Sequence, residues 1–284
     1  MMHFSEQLAH IVQKKSPLLL GLDPAPERLP SPLKQAYNST KNTAEKAEIL
    51  AAFCEEIMQE TADFVAGIKI QTAYFEALGH RGVGAMRHVI ATAQQQDLWI
   101  LIDAKRGDID VTAQAYAEAY LGNGPLAGDA LTINPLLGSD TVQPFINVAE
   151  KNNRGIFVLV KTSNPSASEF QNNIADDIAK AVTHWGESSI DSTGFSSVGA
   201  VIGATRAEEI AHFRSLMPTS WFLCPGIGAQ GGDLLATLTA AQKNNTGVLI
   251  PISRGILYAS NGNDYRAAAR ISAGKYYKIM SGKP

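Results

Sequence analysis

The sequence has 284 residues, a formal net charge of −3 and no long run of one charge sign. This composition excludes the basic surface of a nucleic-acid-binding domain and the basic patch of a membrane-surface protein. No apolar stretch reaches the ~20 residues that a membrane-spanning helix needs, and the first ten residues read as a helix start without the basic flank of a signal peptide. We therefore predict a cytoplasmic protein that binds neither nucleic acid nor a membrane.

Eight short apolar runs alternate with longer amphipathic stretches, and each run ends near Gly, Pro, Asp, Asn or Ser. The runs, which we predict to be strands, are Leu18–Leu22, Phe64–Ile70, Trp99–Ile102, Ala130–Ile133, Gly155–Val160, Val198–Ile202, Trp221–Leu223 and Gly247–Ile252. The predicted helices run from an N-cap at Thr43 toward Ala62, and then over Ala85–Gln95, Val111–Tyr120, Thr141–Lys151, Glu169–Trp185, Arg206–Ser215, Leu234–Lys243 and Tyr265–Met280. Eight successive β-then-α units predict an α/β fold, a (β/α)8 TIM barrel forming one domain over residues 1–284, with a doubly wound open sheet as the alternative.

Two segments between these elements have loop composition. Pro24–Asn42 is rich in Pro, Ser and Asn, and we expect it to lie as a loop across the top of the barrel. Ser188–Ser197 is rich in Ser and contains Gly194, which predicts a surface excursion before the sixth strand.

Cysteine and histidine carry no metal signature. Cys54 and Cys224, the only two cysteines, lie in apolar contexts and are predicted to be buried packing residues. The six histidines fall in predicted helices or loops, and none has metal-ligand spacing with another His, Asp or Glu. We predict no metal site and no cofactor.

Enzymes built on this barrel place their chemistry at the carboxyl ends of the strands. The third predicted strand leads directly into Asp103 and Lys105, with Asp108 three residues further on. Side chains two apart on a strand share a face, so Asp103 and Lys105 should point the same way. Two charges at the end of a buried strand are costly to desolvate, which favours a functional site over a buried ion pair that closes the barrel end.

The seventh and eighth predicted strands are followed by residues suited to a phosphate. The segment Pro225–Asp233 has four glycines in nine residues, whose backbone N–H groups can approach a ligand closely. Arg254 offers a planar fork and Gln230 an amide donor. Turn formation alone is the simpler explanation of the glycines.

Three further polar residues lie at or just after the ends of predicted strands, each with a plain structural alternative. Asp23 could accept hydrogen bonds from sugar hydroxyls or could cap a turn. Lys69, between two isoleucines, could serve the site or extend to the surface. Ser163, with Asn164, could hydrogen-bond a flat heterocycle or form the turn before Pro165.

Taken together, these strand-end motifs resemble the orotidine 5′-phosphate decarboxylase family in its longer bacterial form, the type 2 subfamily. The resemblance covers nearly the whole chain and rests on Gly21–Pro24, Gly67–Lys69, Asp103–Ile109 with Thr112, Thr162–Pro165, Pro225–Asp233 and Arg254–Gly255. The Asp-x-Lys-x-x-Asp core alone is shared with related sugar-phosphate decarboxylases.

The resemblance implies a role for each residue. The alternating catalytic array would be Lys69, Asp103, Lys105 and Asp108. Asp108 would reach into the site of a neighbouring subunit together with Ile109 and Thr112, so the enzyme would be a homodimer with shared sites. The substrate-binding positions would be Asp23 and Lys69 at the ribose, Ser163 at the pyrimidine, Gln230 and Arg254 at the 5′-phosphate, and Pro225 and Gly255 beside them.

The implied reaction is cofactor-independent decarboxylation of orotidine 5′-monophosphate to uridine 5′-monophosphate, the last step of de novo pyrimidine synthesis. Three alternatives stay open: a metal-dependent sugar-phosphate decarboxylase or epimerase on the same barrel, a Schiff-base aldolase using Lys69 or Lys105, and a non-catalytic nucleotide-binding barrel.

Overall fold

The computed structural model describes residues 2–204, 206–228 and 231–282, which contain a closed barrel of eight parallel strands in sequential order. The strands are β1 (Leu18–Leu22), β2 (Gly67–Gln71), β3 (Trp99–Arg106), β4 (Ala130–Ile133), β5 (Gly155–Lys161), β6 (Val198–Ile202), β7 (Phe222–Leu223) and β8 (Val248–Ile252). The barrel closes where β1 pairs with β8, with Leu18 opposite Ile250. The predicted (β/α)8 barrel is confirmed, and the open-sheet alternative is wrong.

Helices connect the strands and surround the barrel. They are α1 (Phe4–Lys14), α2 (Ser31–Ser39), α3 (Thr43–Thr61), α4 (Thr72–Glu76), α5 (Gly79–Gln95), α6 (Asp110–Leu121), α7 (Ser139–Lys151), α8 (Gln171–Gly186), α9 (Ala207–Leu216), α10 (Leu234–Ala241), α11 (Arg254–Leu257) and α12 (Tyr265–Ser281). The N-cap of α3 is Asn42, whose side chain accepts the Ala44 N–H at 2.9 Å, so the predicted cap at Thr43 is one residue late. In the described part of the chain no helix combines the length and apolarity needed to cross a membrane.

Both predicted loops contain more structure than their composition suggested. Pro24–Asn42 holds a 3-10 turn at Pro26–Arg28 and the nine-residue α2, so the prediction of a loop there is wrong. Proline is tolerated in a first helical turn because its missing N–H would have no intrahelical partner there, and α2 uses a proline in that turn.

The second loop, Ser188–Ser197, is a surface excursion except in its last three residues, which are buried. Phe195 and Ser196 are 1% and 0% exposed, and the Phe195 ring packs on Trp221 with 5.2 Å between centroids. These last residues therefore help to close the amino end of the barrel, which corrects the prediction for them.

Two apolar layers surround the strands because successive strand residues point to opposite faces. Leu18 and Leu20 pack outward against the helices, whereas Leu19 packs inward with Trp99 and Phe157. Helix α1 covers the amino end of the barrel with four apolar side chains: Phe4, Leu8, Ala9 and Val12. Because apolar groups fill the interior and α1 covers the amino end, the carboxyl end is the part of the barrel where polar side chains can form a site.

Candidate active site

A cavity of about 620 Å³ opens at the carboxyl end of the barrel, a size typical of small-molecule sites. Its described lining includes the cationic side chains of Arg28, Lys69, Lys105 and Arg254, and the carboxylates of Asp23 and Asp103. Cations thus outnumber carboxylates in the lining by two, which suits an anionic ligand.

Asp103, at the carboxyl end of the barrel, joins both predicted catalytic lysines. Its Oδ2 accepts from Lys69 Nζ at 2.9 Å and its Oδ1 from Lys105 Nζ at 2.6 Å. Lys69 Nζ also lies 3.5 Å from Asp23 Oδ1. The structure therefore brings Asp23, Lys69, Asp103 and Lys105 into one line of alternating charges. The array implied by the family resemblance had Asp108 as its fourth member and placed Asp23 at the ribose.

Burial and pairing act in opposite directions on these groups. Burial alone would raise the pKa of the Asp103 carboxyl, but Lys69 and Lys105 outweigh it and hold that pKa well below its usual range. Burial alone would lower the pKa of the Lys69 ammonium, but Asp103 and Asp23 outweigh it and raise that pKa. Both groups are therefore charged at neutral pH despite being 6% exposed.

Regular strand alternation does not explain why the Lys105 side chain lies in the cavity. Strand β3 was predicted to end at Ile102, but it continues to Arg106 through a bulge against β4. Lys105 has a φ of 48°, in the left-handed region that is uncommon for residues other than glycine. Asp103 and Lys105 do face the same cavity, but regular alternation is the wrong reason for it.

The predicted phosphate end of the cavity is lined by Gly226, Gly228, Arg254 and Gly255. Gly226 and Gly228 have φ angles of 111° and 75°, a region that side chains disfavour, so this turn requires glycine. Gln230 lies outside the described residues. Arg254 begins the short helix α11, directly after the last residues of β8.

Tyr276, on α12, is a lining residue at this same end that sequence reasoning missed. Its hydroxyl lies 2.7 Å from the position that a Cβ on Gly255 would occupy, and 3.7 Å from the equivalent position on Gly228. Tyr276 is distant in sequence from Gly228 and Gly255, so the local sequence gives no sign that its hydroxyl lies next to them.

The turn that carries Asp23 is pinned by Tyr258, which follows α11. The Tyr258 hydroxyl donates to the Asp23 backbone oxygen at 2.8 Å and accepts the Ala25 N–H at 2.7 Å. One tyrosine thus connects the segment of Arg254 to the segment of Asp23. Nothing in the local sequence around Tyr258 indicates this contact.

Two other predicted binding residues, Ser163 after β5 and Pro225 after β7, line the cavity. Gln71 and Thr132 line it too and were missed by sequence reasoning: Gln71 Nε2 lies 3.4 Å from Asp103 Oδ2, and Thr132 Oγ1 donates to Asp103 Oδ1 at 2.9 Å. Gln71 is the last residue of β2, two residues after the Gly67–Lys69 motif, and could have been found by its strand-end position. Thr132 is a common residue type for a buried strand and carries no such signal.

Asp108, Ile109 and Thr112 do not line the cavity of their own chain. Asp108 is partly buried and accepts the Ile109 N–H at 2.8 Å, and the Ile109 side chain is 54% exposed. These three predicted site residues therefore lie together at the start of α6, apart from the eight other predicted site residues that the structure describes.

The buried position predicted for both cysteines is confirmed. Cys54 and Cys224 are both 0% exposed, and burial raises the pKa of the Cys224 thiol to about 12. The six histidines are exposed. Over residues 2–204, 206–228 and 231–282, no group of three or more His, Cys, Asp or Glu is arranged to hold a metal ion.

The closed parallel barrel and a charged cavity at the carboxyl ends of its strands define the class of this protein, a (β/α)8-barrel enzyme. The model of the orotidine 5′-phosphate decarboxylase / HUMPS family matches residues 16–271, so the chain belongs to that family.

Individual relatives agree with this assignment. A protein of Rhodopirellula baltica named orotidine 5′-phosphate decarboxylase is 40% identical over 281 residues, which cover 95% of this chain and 93% of the relative. One of Deinococcus radiodurans with the same name is 43% identical over 215 residues, covering 75% and 78%. The structure of Leishmania donovani OMP decarboxylase superposes with a TM-score of 0.76 at 31% identity, covering 98% of this chain and 99% of the other.

Proposed function

We propose that this chain decarboxylates orotidine 5′-monophosphate to uridine 5′-monophosphate without a cofactor. The observation that carries the proposal is the contact of Lys69 and Lys105 with opposite oxygens of one buried carboxylate, Asp103. The array lies in the same cavity as the glycine-rich loop after β7 and Arg254 after β8. The relatives named for this activity support the choice of substrate.

In this proposal the two ends of the cavity divide the substrate between them. Arg254, with Gln230, binds the 5′-phosphate, because a guanidinium fork matches two phosphate oxygens. Asp23 and Lys69 bind the ribose hydroxyls, and Ser163 hydrogen-bonds the pyrimidine. These positions direct C6 of the orotate ring, with its carboxylate, toward Asp103 and Lys105.

The difficulty of the reaction lies in the electron pair that stays on C6 when its bond to the carboxylate carbon breaks. No neighbouring carbonyl group delocalises that pair well, so electrostatic stabilisation must come from the site. A substrate carboxylate about 4 Å from Asp103, at an effective dielectric of ~20, is repelled by roughly 4 kcal/mol. Departure of neutral carbon dioxide removes this repulsion, which lowers the barrier to bond breaking.

Lys105 supplies the favourable part of the electrostatics. Its ammonium stabilises the developing carbanion and then donates a proton to C6, forming the C–H bond of the product. The neutral amine left behind regains a proton from solvent. Asp103 orients the Lys105 ammonium before the transfer, through the 2.6 Å contact between Asp103 Oδ1 and Lys105 Nζ.

A second copy of the chain would complete the array. Among the described residues the Lys69 ammonium pairs with two carboxylates, whereas the Lys105 ammonium pairs with one, that of Asp103. We infer that Asp108 of the partner subunit provides the missing carboxylate, with Ile109 and Thr112 beside it.

The surface next to Asp108 supports a homodimer. Ile109 and Val111 at the start of α6 are 54% and 82% exposed, and Leu136 and Leu137 after β4 are 71% and 53% exposed. The segments after β3 and β4 are in contact: a Cβ on Gly107 would lie 2.8 Å from the Asn134 backbone oxygen. An exposed apolar patch beside polar functional residues is typical of a protein interface.

Turnover in the presence of a chelator tests the reaction and its cofactor independence together. Purified enzyme mixed with orotidine 5′-monophosphate and excess EDTA should show the ultraviolet absorbance loss of decarboxylation at its full rate. Loss of activity that magnesium restores would support the sugar-phosphate type of chemistry instead. Tight nucleotide binding without turnover would support a binding protein, and a covalent adduct trapped by borohydride would support an aldolase.

Replacing Arg254 tests the phosphate end of the cavity. In Arg254→Ala we expect kcat/KM to fall about 10³-fold, because a desolvated charge-assisted contact with the phosphate is lost and its binding energy no longer stabilises the transition state. Steady-state kinetics with the same substrate measure the change.

Two matched variants make the Arg254 result specific. Arg254→Lys keeps the charge without the planar fork and should recover part of the lost kcat/KM. Arg87→Ala removes an exposed arginine of α5 and should leave the kinetics unchanged. An Arg254→Ala enzyme with wild-type kcat/KM would refute the phosphate assignment.

A further inference from the structure

Thr132 lies within β4 and its hydroxyl contacts two parts of the strand that carries the catalytic pair. The side chain is buried, with 1% of the residue exposed. Its Oγ1 donates to Asp103 Oδ1 at 2.9 Å and accepts the backbone N–H of Lys105 at 3.0 Å. One hydroxyl group therefore connects the central carboxylate to the backbone from which the Lys105 side chain extends.

The bond to Lys105 lies where the ladder between β3 and β4 is interrupted. Ile102 pairs with Leu131, and the next registered pair is Arg106 with Ile133, so β3 advances four residues while β4 advances two. In a regular ladder the Lys105 N–H would donate to a backbone carbonyl. Here the side-chain oxygen of Thr132 accepts it, at the residue whose φ is 48°.

The bond to Asp103 fixes the rotation of the carboxylate. Oδ2 is held by Lys69 at 2.9 Å, and Oδ1 is shared by Lys105 Nζ and Thr132 Oγ1. The Lys105 contact moves with a flexible side chain, whereas Thr132 sits on a barrel strand. Without this hydroxyl, Oδ1 would be held only by the group that it is meant to orient.

We infer that Thr132 is a positioning residue for the proton donor: it holds the Lys105 backbone in its left-handed conformation and orients Asp103 toward the Lys105 ammonium. The inference rests on the proposed decarboxylation, in which Lys105 protonates C6. It predicts an effect on the chemical step and little effect on substrate capture, because the phosphate is bound at the other end of the cavity.

Thr132→Val tests this role because it keeps the shape of the side chain and removes the hydroxyl. We expect kcat to fall about 100-fold, the scale of a small misplacement of catalytic groups. KM should stay within about threefold of wild type, since ground-state binding is untouched. Thr132→Ser restores a hydroxyl and should return kcat to within about fivefold of wild type.

The controls separate positioning from general packing. Thr61→Val makes the same substitution at a buried threonine of α3, whose hydroxyl donates to the Ile57 oxygen at 2.7 Å. It should keep the wild-type kcat whatever its melting temperature. Thr132→Ala is a second hydroxyl-free variant, and rates are expressed per folded molecule from circular dichroism.

The kinetic results distinguish failure of the inference about Thr132 from failure of the proposed function. Wild-type kcat in folded Thr132→Val overturns the inference and leaves the proposed function intact, whereas absence of turnover by the wild-type enzyme overturns the proposed function. A Thr132→Ser variant as impaired as Thr132→Val, an equal loss in Thr61→Val, or failure of both hydroxyl-free variants to fold would make the role of Thr132 structural and overturn the inference.

Discussion

Lys105→Ala should reduce kcat by at least about 10⁴-fold, because this one ammonium both stabilises the carbanion and supplies the proton. Its pairing with Asp103 at 2.6 Å places a charged donor at the end of the array. Because the phosphate end of the cavity is unchanged, uridine 5′-monophosphate should bind with an affinity within about threefold of wild type. Ultraviolet absorbance gives the rate, and titration calorimetry gives the affinity of the product.

The control for Lys105→Ala is the same substitution at a lysine that has no part in the site. Lys41 is exposed between α2 and α3, and Lys41→Ala should have wild-type kcat. If Lys105→Ala kept a tenth of the wild-type kcat or more, another group would have to protonate C6. A loss of nucleotide affinity as large as the loss of kcat would mean that Lys105 serves binding and not chemistry.

The barrel could be predicted from the sequence because its signal is repeated eight times. Each apolar run is short, is followed by a polar or glycine-rich turn, and precedes an amphipathic stretch, so errors at single boundaries do not change the topology. The prediction failed where the positions of single residues, and not the composition of the segment, determine the local structure. Ser31 and Pro32 looked like loop residues, yet they are the first two residues of α2, where proline is compatible with a helix.

The candidate site was predictable to the extent that it depends on strand ends. Asp23 and Asp103 follow apolar runs and Lys69 lies near the end of one, and a closed parallel barrel brings such positions together. Lys105 was found for the wrong reason, because the bulge that positions it depends on a pairing with β4 that the β3 sequence does not encode. Thr132 and Tyr258 act through contacts between distant segments, and residue type alone does not reveal them.

Mixing two inactive variants should restore activity if the site is shared between subunits. Lys105→Ala and Asp108→Asn each destroy both sites of their own homodimers in this proposal. In a mixed dimer, one site combines Lys105 from the Asp108→Asn chain with Asp108 from the Lys105→Ala chain, and is therefore intact. Random exchange of two-fold symmetric dimers should then give about one quarter of the wild-type activity.

A different pair of variants provides the control for this experiment. Lys105→Ala mixed with Asp103→Asn should stay inactive. Lys105 and Asp103 of the same chain contribute to the same site, so in a mixed dimer one site lacks Lys105 and the other lacks the Asp103 carboxylate. Exchange is verified by co-purification of differently tagged chains. Recovery in the first mixture alone requires Asp108 to act across the interface. No recovery despite proven exchange would instead place Asp108 in the site of its own chain, and would make the exposed patch around Ile109 irrelevant to catalysis.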